Sequence, residues 1–340
     1  MQAWIVVPAF EEAATVGRVV EAARAHGPVL VVDDGSRDAT AAVARAAGAE
    51  VIRHPRRLGK GQALRTGIAA ARARGAALVA TLDGDGQHDP ADLPALLAAA
   101  REGPRAVVVG SRVTGRAGGG VPAGRLNAIR VASFFLSWVT GLRLHDTQSG
   151  FRVYPLALFD EARTRRGGFV FETEVLVAAA ARGYAVREVP VRVVPRAARR
   201  SRFRPLADGG AIGAYLARQA LGRWGAEVAA AAREVVAPFG RERRRLRQAE
   251  ILAAGAACGG SIGAWGTAVA TVAVGRASSR LAGWWHHPRR RRAAAAAWAS
   301  LAAPAVLALA AVQTVAGRRL PDILTPLVAR LYSPDRLEGP

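Results

Sequence analysis

One cysteine, Cys258, and one lysine, Lys60, stand among 340 residues. A lone thiol excludes an intramolecular disulfide and leaves nothing for a cysteine-based metal site, which suits a reducing compartment. The first apolar run, Trp4-Ile5-Val6-Val7, is too short for a signal-peptide h-region and stops at Pro8, so the first domain is expected to start in the cytoplasm. Two nucleotide-binding signatures are missing. His54 stands where a Walker A loop needs its first glycine, and Gly61 follows Lys60 where Ser or Thr is required. No Gly-x-Gly-x-x-Gly follows the first apolar run either. These absences count against P-loop ATPases and nicotinamide oxidoreductases. No DNA- or RNA-binding motif and no interleaved aromatics accompany the basic residues, so nucleic acid is not an expected partner.

What is present is arginine, which supplies all but one of 48 basic residues and sets a net charge of +22. Two origins stay open. With so much Ala and Gly beside it, the charge fits composition bias from a GC-rich genome; equally, it fits attraction to phospholipid headgroups and phosphorylated substrates. An apolar content of 51% supplies a sizeable core, and the length allows one large catalytic domain with an appendage.

The first half alternates short β-branched runs with Ala-rich helical stretches, the pattern of an α/β domain with a mostly parallel sheet. Strands are predicted over Ala3–Val7, Val29–Val32, Ala49–Ile52, Ala76–Leu82 and Ala106–Val109. Helices are predicted over Glu12–Ala25, Asp38–Ala47, Gln62–Arg74 and Pro90–Arg101. Polar clusters fall where strands end, at Asp33-Asp34-Gly35-Ser36 and Asp83-Gly84-Asp85-Gly86, and open α/β sheets bind ligands at those ends.

Three segments are expected: a catalytic domain over 1–210, an amphipathic helix and basic linker over 211–247, and a helical hairpin over 248–340. Within the last, 251–275 and 293–317 carry no charge until their ends and match the roughly 20 residues that cross a bilayer. If both cross, the arginine-rich linker between them lies outside, against the positive-inside rule. A hairpin lying on the membrane surface avoids that conflict, so spanning and surface association both stay open. His286-His287 read as solvated linker.

The strongest chemical signal is Asp83-Gly84-Asp85-Gly86-Gln87-His88. Carboxylates two apart in an extended segment share a face, so one can meet a divalent ion while the other meets a ribose. Hard ions such as Mg²⁺ or Mn²⁺ take oxygen ligands and bridge phosphates. The run Arg57–Arg65 opens a helix with Lys60, a natural place for phosphate.

Taken in order, PAFEE (8–12), VVDDGSRDAT (31–40), RLGKGQALRTG (57–67), LDGDGQHDP (82–90), GSR (110–112) and DTQSGFR (146–152) resemble family 2 glycosyltransferases of the polyprenyl-phosphate branch. FETE (171–174), EVPV (188–191) and SRFRPLAD (201–208) continue the likeness. The resemblance implies a GT-A fold, a nucleotide-sugar donor and a polyprenyl phosphate acceptor on an anionic membrane surface. It places Pro8, Phe10, Glu12, Asp33 and Asp34 on the nucleoside, and Lys60 beside the nucleotide. Asp83 falls on the ribose or diphosphate, and Asp85 and Gln87 on the metal. Arg65 lies near the nucleotide or anchors the fold. Arg112 resembles the arginine that meets the acceptor phosphate, with Arg125 or Arg130 as a second. Asp146 and Arg152 sit in the acceptor-proximal motif. The catalytic set so implied is Asp83, Asp85, Asp146 and Arg112. Glu11 and Arg57 depart from the family, which usually has Asn at both places.

Such an enzyme works by in-line displacement, with an already anionic lipid phosphate as nucleophile and no strong general base. A saccharide acceptor would instead need a base, for which Asp146, Glu172 or Glu174 are the candidates. The Gln-x-x-Arg-Trp of processive synthases fails here, because Gln219 to Trp224 is one residue too long. A non-catalytic membrane module that keeps the fold is a further alternative, weighed against by intact Asp83, Asp85 and Gln87.

Overall fold

Strands of this chain are short and apolar on both faces, which calls for helices on either side of a sheet. The computed structural model describes residues 2–114, 121–194, 205–236, 307–308 and 310–317. Its sheet has seven strands in the order β3-β2-β1-β4-β6-β5-β7. They are β1 (Ala3–Ala9), β2 (Val29–Asp33), β3 (Glu50–Arg53), β4 (Leu78–Thr81), β5 (Ala106–Ser111), β6 (Arg152–Pro155) and β7 (Ala185–Pro190). All neighbours are parallel except β6, which runs antiparallel to β4 and β5, pairing Thr81 and Val109 with Arg152. The mostly parallel α/β sheet expected from the sequence is therefore present. β2 and β5 are buried along their whole length.

Helices α1 (Val16–Arg24), α2 (Thr40–Ala46) and α4 (Leu93–Arg101) bury Val16, Val19, Val20, Ala44, Leu93, Leu96 and Leu97 against one face, on Ile5, Val7, Val31, Ala80 and Val153. Alternate strand residues face the other way. There α3 (Lys60–Ala73) presses on β1 so closely that Gly67 has no room for a side chain: a Cβ would lie 2.3 Å from Val6 Cγ1 and 3.2 Å from Val32 Cγ2. Both neighbours are stiff β-branched residues. Gly67→Ala is therefore expected to cost about 1–3 kcal/mol by overpacking, read as a lower urea midpoint.

The remaining helices are α5 (Ala123–Thr140), α6 (Ala157–Glu161), α7 (Val170–Ala181) and α8 (Pro205–Val236). The chain divides into two units, Met1–Leu136 with Leu144–Gly213, and Ser137–Arg143 with Ala214–Pro340. The first carries the whole sheet. No helix among the described residues is long and apolar enough to cross a membrane. The stretch 251–275, most of 293–317, Cys258, His286-His287 and the basic run 241–247 lie outside the described residues, as do 117–120 and 201–204.

Candidate active site

The polar clusters at the carboxyl ends of β1, β2 and β4 meet through side chain-to-backbone bonds. Asp33 Oδ1 accepts from Ser36 N at 3.0 Å, and its Oδ2 lies 3.2 Å from Arg53 Nε. Asp34 accepts from Leu58 N at 2.8 Å and Gly59 N at 2.7 Å, and pairs with His54 Nδ1 at 2.8 Å. His54 continues to Thr66 Oγ1 at 3.0 Å. Of the two carboxylates expected at the nucleoside, Asp34 thus shapes the loop 54–59 that launches α3, while Asp33 braces the turn after β2 and meets Arg53 at the end of β3. Ser36 Oγ and Thr40 Oγ1 accept from the N–H groups of Glu11 and Glu12, both at 2.8 Å. Thr15 Oγ1 donates to Gly84 O at 2.7 Å, tying this loop to the one after β4. The helix expected from Glu12 begins only at Val16, and the N–H groups of Glu11, Glu12 and Ala13 go to Ser36, Thr40 and Asp38 instead.

Glu11 has φ +52°, the only positive value among described non-glycine residues. Asn tolerates that conformation better than Glu. Glu11→Asn is expected to raise stability by up to about 1 kcal/mol, measured by thermal melting. Pro8 and Phe10 are half-buried beside it, and the Arg57 guanidinium sits 4.5 Å from the Phe10 ring centre.

Lys60 opens α3 and reaches Asp83 Oδ1 at 2.7 Å and Glu172 Oε1 at 3.2 Å. Burial alone would lower its pKa, but the two carboxylates outweigh it and hold the ammonium above the usual lysine range. Burial would likewise raise Asp83; Lys60, with His88 and Arg112, brings it down to about 2. Gly150, at the foot of β6, makes room for this pair, since a Cβ there would lie 2.6 Å from Asp83 Oδ2 and 2.8 Å from Lys60 Nζ.

In the loop after β4, Gln87 N donates to Asp85 Oδ1 at 3.1 Å, and Arg125 Nη1 donates to Gln87 Oε1 at 3.0 Å. The donor set of Asp85 and Gln87, carboxylate and amide oxygen, fits a hard ion such as Mg²⁺ or Mn²⁺. Among the described residues no three His, Cys, Asp or Glu side chains gather into a metal cage. His88 is buried against Phe151, its ring 5.3 Å away, and burial holds it neutral with a pKa of about 4.

Arg112, just past β5, is buried and bidentate on Asp146, Nε to Oδ2 at 2.7 Å and Nη2 to Oδ1 at 2.8 Å. Asp146 also accepts from Arg112 N and Gln148 N. Burial would raise its pKa, and Arg112 instead holds it below the usual carboxylate range. Burial and the nearby charge of Arg112 lower the Arg125 pKa, and its bond to Gln87 joins α5 to the loop after β4. Arg130 is half-buried on α5, and its Nε has no hydrogen-bond partner among the described residues.

Arg152 is different. It is fully buried and gives Nε, Nη1 and Nη2 to the carbonyls of Ser149, Glu172 and Thr147 at 2.6–2.7 Å. An acceptor role for it would require breaking this clasp, so its place is that of a scaffold. Arg65 is also an anchor, bonding Arg166 O at 2.6 Å. The candidate bases are engaged as well: Glu172 on Lys60, and Glu174 on the N–H groups of Arg165 and Arg166. Sequence reasoning missed His54, Gly150 and Glu188, whose partners are all distant in the chain.

Residues 4–162 match the sequence profile of glycosyl transferase family 2. Glycosyltransferase AglJ of Haloferax volcanii is 33% identical over 221 residues, 64% of this chain and 71% of that protein. The chain belongs to glycosyl transferase family 2. A second relative of this transferase, undecaprenyl-phosphate mannosyltransferase of Micrococcus luteus, is 30% identical over 66% of this chain and 94% of that protein. In fold, the transferase is similar to glucosyl-3-phosphoglycerate synthase of Mycobacterium tuberculosis, solved with Mn²⁺, UDP and glucosyl-3-phosphoglycerate. The TM-score is 0.51 at 24% identity, over 65% of this chain and 79% of that one.

Proposed function

We propose that this family 2 enzyme moves a hexose from a UDP- or GDP-linked donor to a polyprenyl phosphate, at the cytoplasmic face of a membrane. The observation that carries the acceptor class is the state of the carboxylates. Asp146, Glu172 and Glu174, the candidates for a general base, are each held by a cation or by backbone N–H groups. A sugar hydroxyl needs such a base; a phosphate oxygen, already anionic, does not. The name of the Micrococcus relative supports the same acceptor.

In this reading the phosphate oxygen bonds to the anomeric carbon as the bond to the nucleoside diphosphate breaks, with inversion, and the leaving group takes the electron pair. No proton moves. Lys60, fixed at the head of α3, neutralises charge beside the donor, and Asp83 orients the ribose or diphosphate. Asp85 and Gln87 would hold Mg²⁺ or Mn²⁺, which would supply charge neutralisation for the diphosphate leaving group. Arg112, with Arg125 or Arg130, takes the acceptor phosphate; its fork is already aligned by Asp146. The C-terminal region after residue 248 associates with the membrane, and the arginine excess favours its anionic surface.

The test supplies purified protein with undecaprenyl phosphate in detergent, Mg²⁺ or Mn²⁺, and labelled UDP-glucose, GDP-mannose or UDP-N-acetylglucosamine in turn. Label is then extracted into organic solvent. Metal-dependent transfer from one donor, reduced at least about 100-fold in Asp85→Ala, is the expected result. Label that stays in water-soluble saccharide would overturn the lipid acceptor.

A further inference from the structure

β7 ends the sheet beside β5 and brings Glu188 level with Val109, three residues before Arg112. The Glu188 side chain is nearly buried, and both oxygens turn toward the loop that carries Asp146. Oε1 accepts from Asp146 N at 2.7 Å. Oε2 accepts from His145 N at 2.9 Å and pairs with His145 Nδ1 at 2.7 Å. Two adjacent backbone amides and an imidazole therefore grip one carboxylate. Asp146 sits immediately beyond and does the same for Arg112, taking its backbone N–H and two guanidinium donors. The two carboxylates act in series: Glu188 fixes the Asp146 backbone, and Asp146 fixes the Arg112 fork.

We propose that Glu188 is a positioning residue for acceptor recognition, acting through the backbone of His145 and Asp146 to aim Arg112. This rests on the assignment of Arg112 to the acceptor phosphate. The Glu188 carboxylate spends both oxygens on His145 and Asp146, whereas Lys60 follows Gly59, whose N–H is held by Asp34, and the loop of Asp83, Asp85 and Gln87 is tied to Thr15 through Gly84 O and to Val194 through Gln87 O. The relay thus serves the acceptor side. Charge matters as well as shape. A carboxylate accepts at both oxygens, whereas a glutamine of equal size presents one N–H₂ group to amides that are themselves donors. Glu188→Gln must lose either the Asp146 or the His145 bonds, freeing the loop to shift. Displacement of a positioning group by about 1 Å costs up to roughly 100-fold in rate.

The test compares wild type, Glu188→Gln, Glu188→Asp and Arg112→Lys. The KM for undecaprenyl phosphate and kcat come from the transfer assay, and donor affinity from titration with Mg²⁺ and the nucleoside diphosphate alone. Glu188→Gln is expected to raise the acceptor KM about 10- to 100-fold while nucleotide affinity stays within about twofold. Glu188→Asp, able to keep one set of bonds, is expected to fall between; it also carries the test if the glutamine variant does not fold. An unchanged acceptor KM in a folded variant overturns the relay. So does a parallel loss of nucleotide affinity, the mark of a merely structural role. If Arg112→Lys leaves the acceptor KM unchanged too, the proposal falls, and the fault lies in the assignment of Arg112 rather than in the Glu188 contacts.

Discussion

One methyl group added at position 150 is expected to remove about 99% of the transferase activity while leaving the fold intact. The three atoms nearest to a Cβ at Gly150 are Asp83 Oδ2 at 2.6 Å, Lys60 Nζ at 2.8 Å and Asp83 Oδ1 at 2.9 Å. All three are side-chain tips. The backbone at Gly150 is not in the left-handed region, so alanine meets no conformational penalty there. What must yield is the 2.7 Å bond between Lys60 and Asp83, with the ammonium retreating toward Glu172. That removes from the donor site the two groups whose charge and direction the reaction needs. Steady-state transfer beside a thermal melt checks this. The expected pattern is the reverse of Gly67→Ala, where the nearest atoms are the rigid methyls of Val6 and Val32 and the cost falls on stability. Equal loss of melting temperature in the two variants would refute the distinction.

The contrast between these two glycines shows what the sequence makes legible. The alternation of β-branched runs with Ala-rich stretches places β1 to β5 and α1 to α4 within a few residues, because burial on both faces leaves a local pattern. β6 leaves none. Arg152-Val153-Tyr154-Pro155 is four residues long, begins with a charge and ends with proline, and its antiparallel pairing has no local signature. Arg152 reads as a ligand because arginine is seldom fully buried. Only the fold reveals three carbonyls, one of them Glu172 O, twenty residues on, that take up its donors. Asp34 is similar: its position at a strand end points to the site, yet its oxygens serve Leu58, Gly59 and His54. The ordered motifs locate the neighbourhood. Which members face a substrate and which brace their neighbours depends on contacts between residues far apart in the chain, beyond any local pattern.

Removing the Asp146 carboxylate is expected to cost about 3–5 kcal/mol, the largest single loss of stability among the changes considered. Both partners are buried, with side-chain exposures of 8% for Arg112 and 0% for Asp146, so Asp146→Ala strands a guanidinium without its counter-charge. Replacing both together, as Arg112→Met with Asp146→Leu, is expected to destabilise less than the single change, since no buried charge is left over. Acid supplies a second check. Arg112 holds the folded-state pKa of Asp146 below its value in the unfolded chain. Between those two values the unfolded chain binds more protons, so stability rises with pH across the window. The contribution is complete above the unfolded value, near pH 4, and is lost as pH falls through the folded one. Urea midpoints taken from pH 6 down to pH 3 should drop more steeply for wild type than for Asp146→Asn, and the gap between them should narrow with acidification. Parallel curves would mean that the Arg112 pair contributes no net charge-dependent stability. The alignment of its fork would then rest on packing and on the backbone bonds from Glu188.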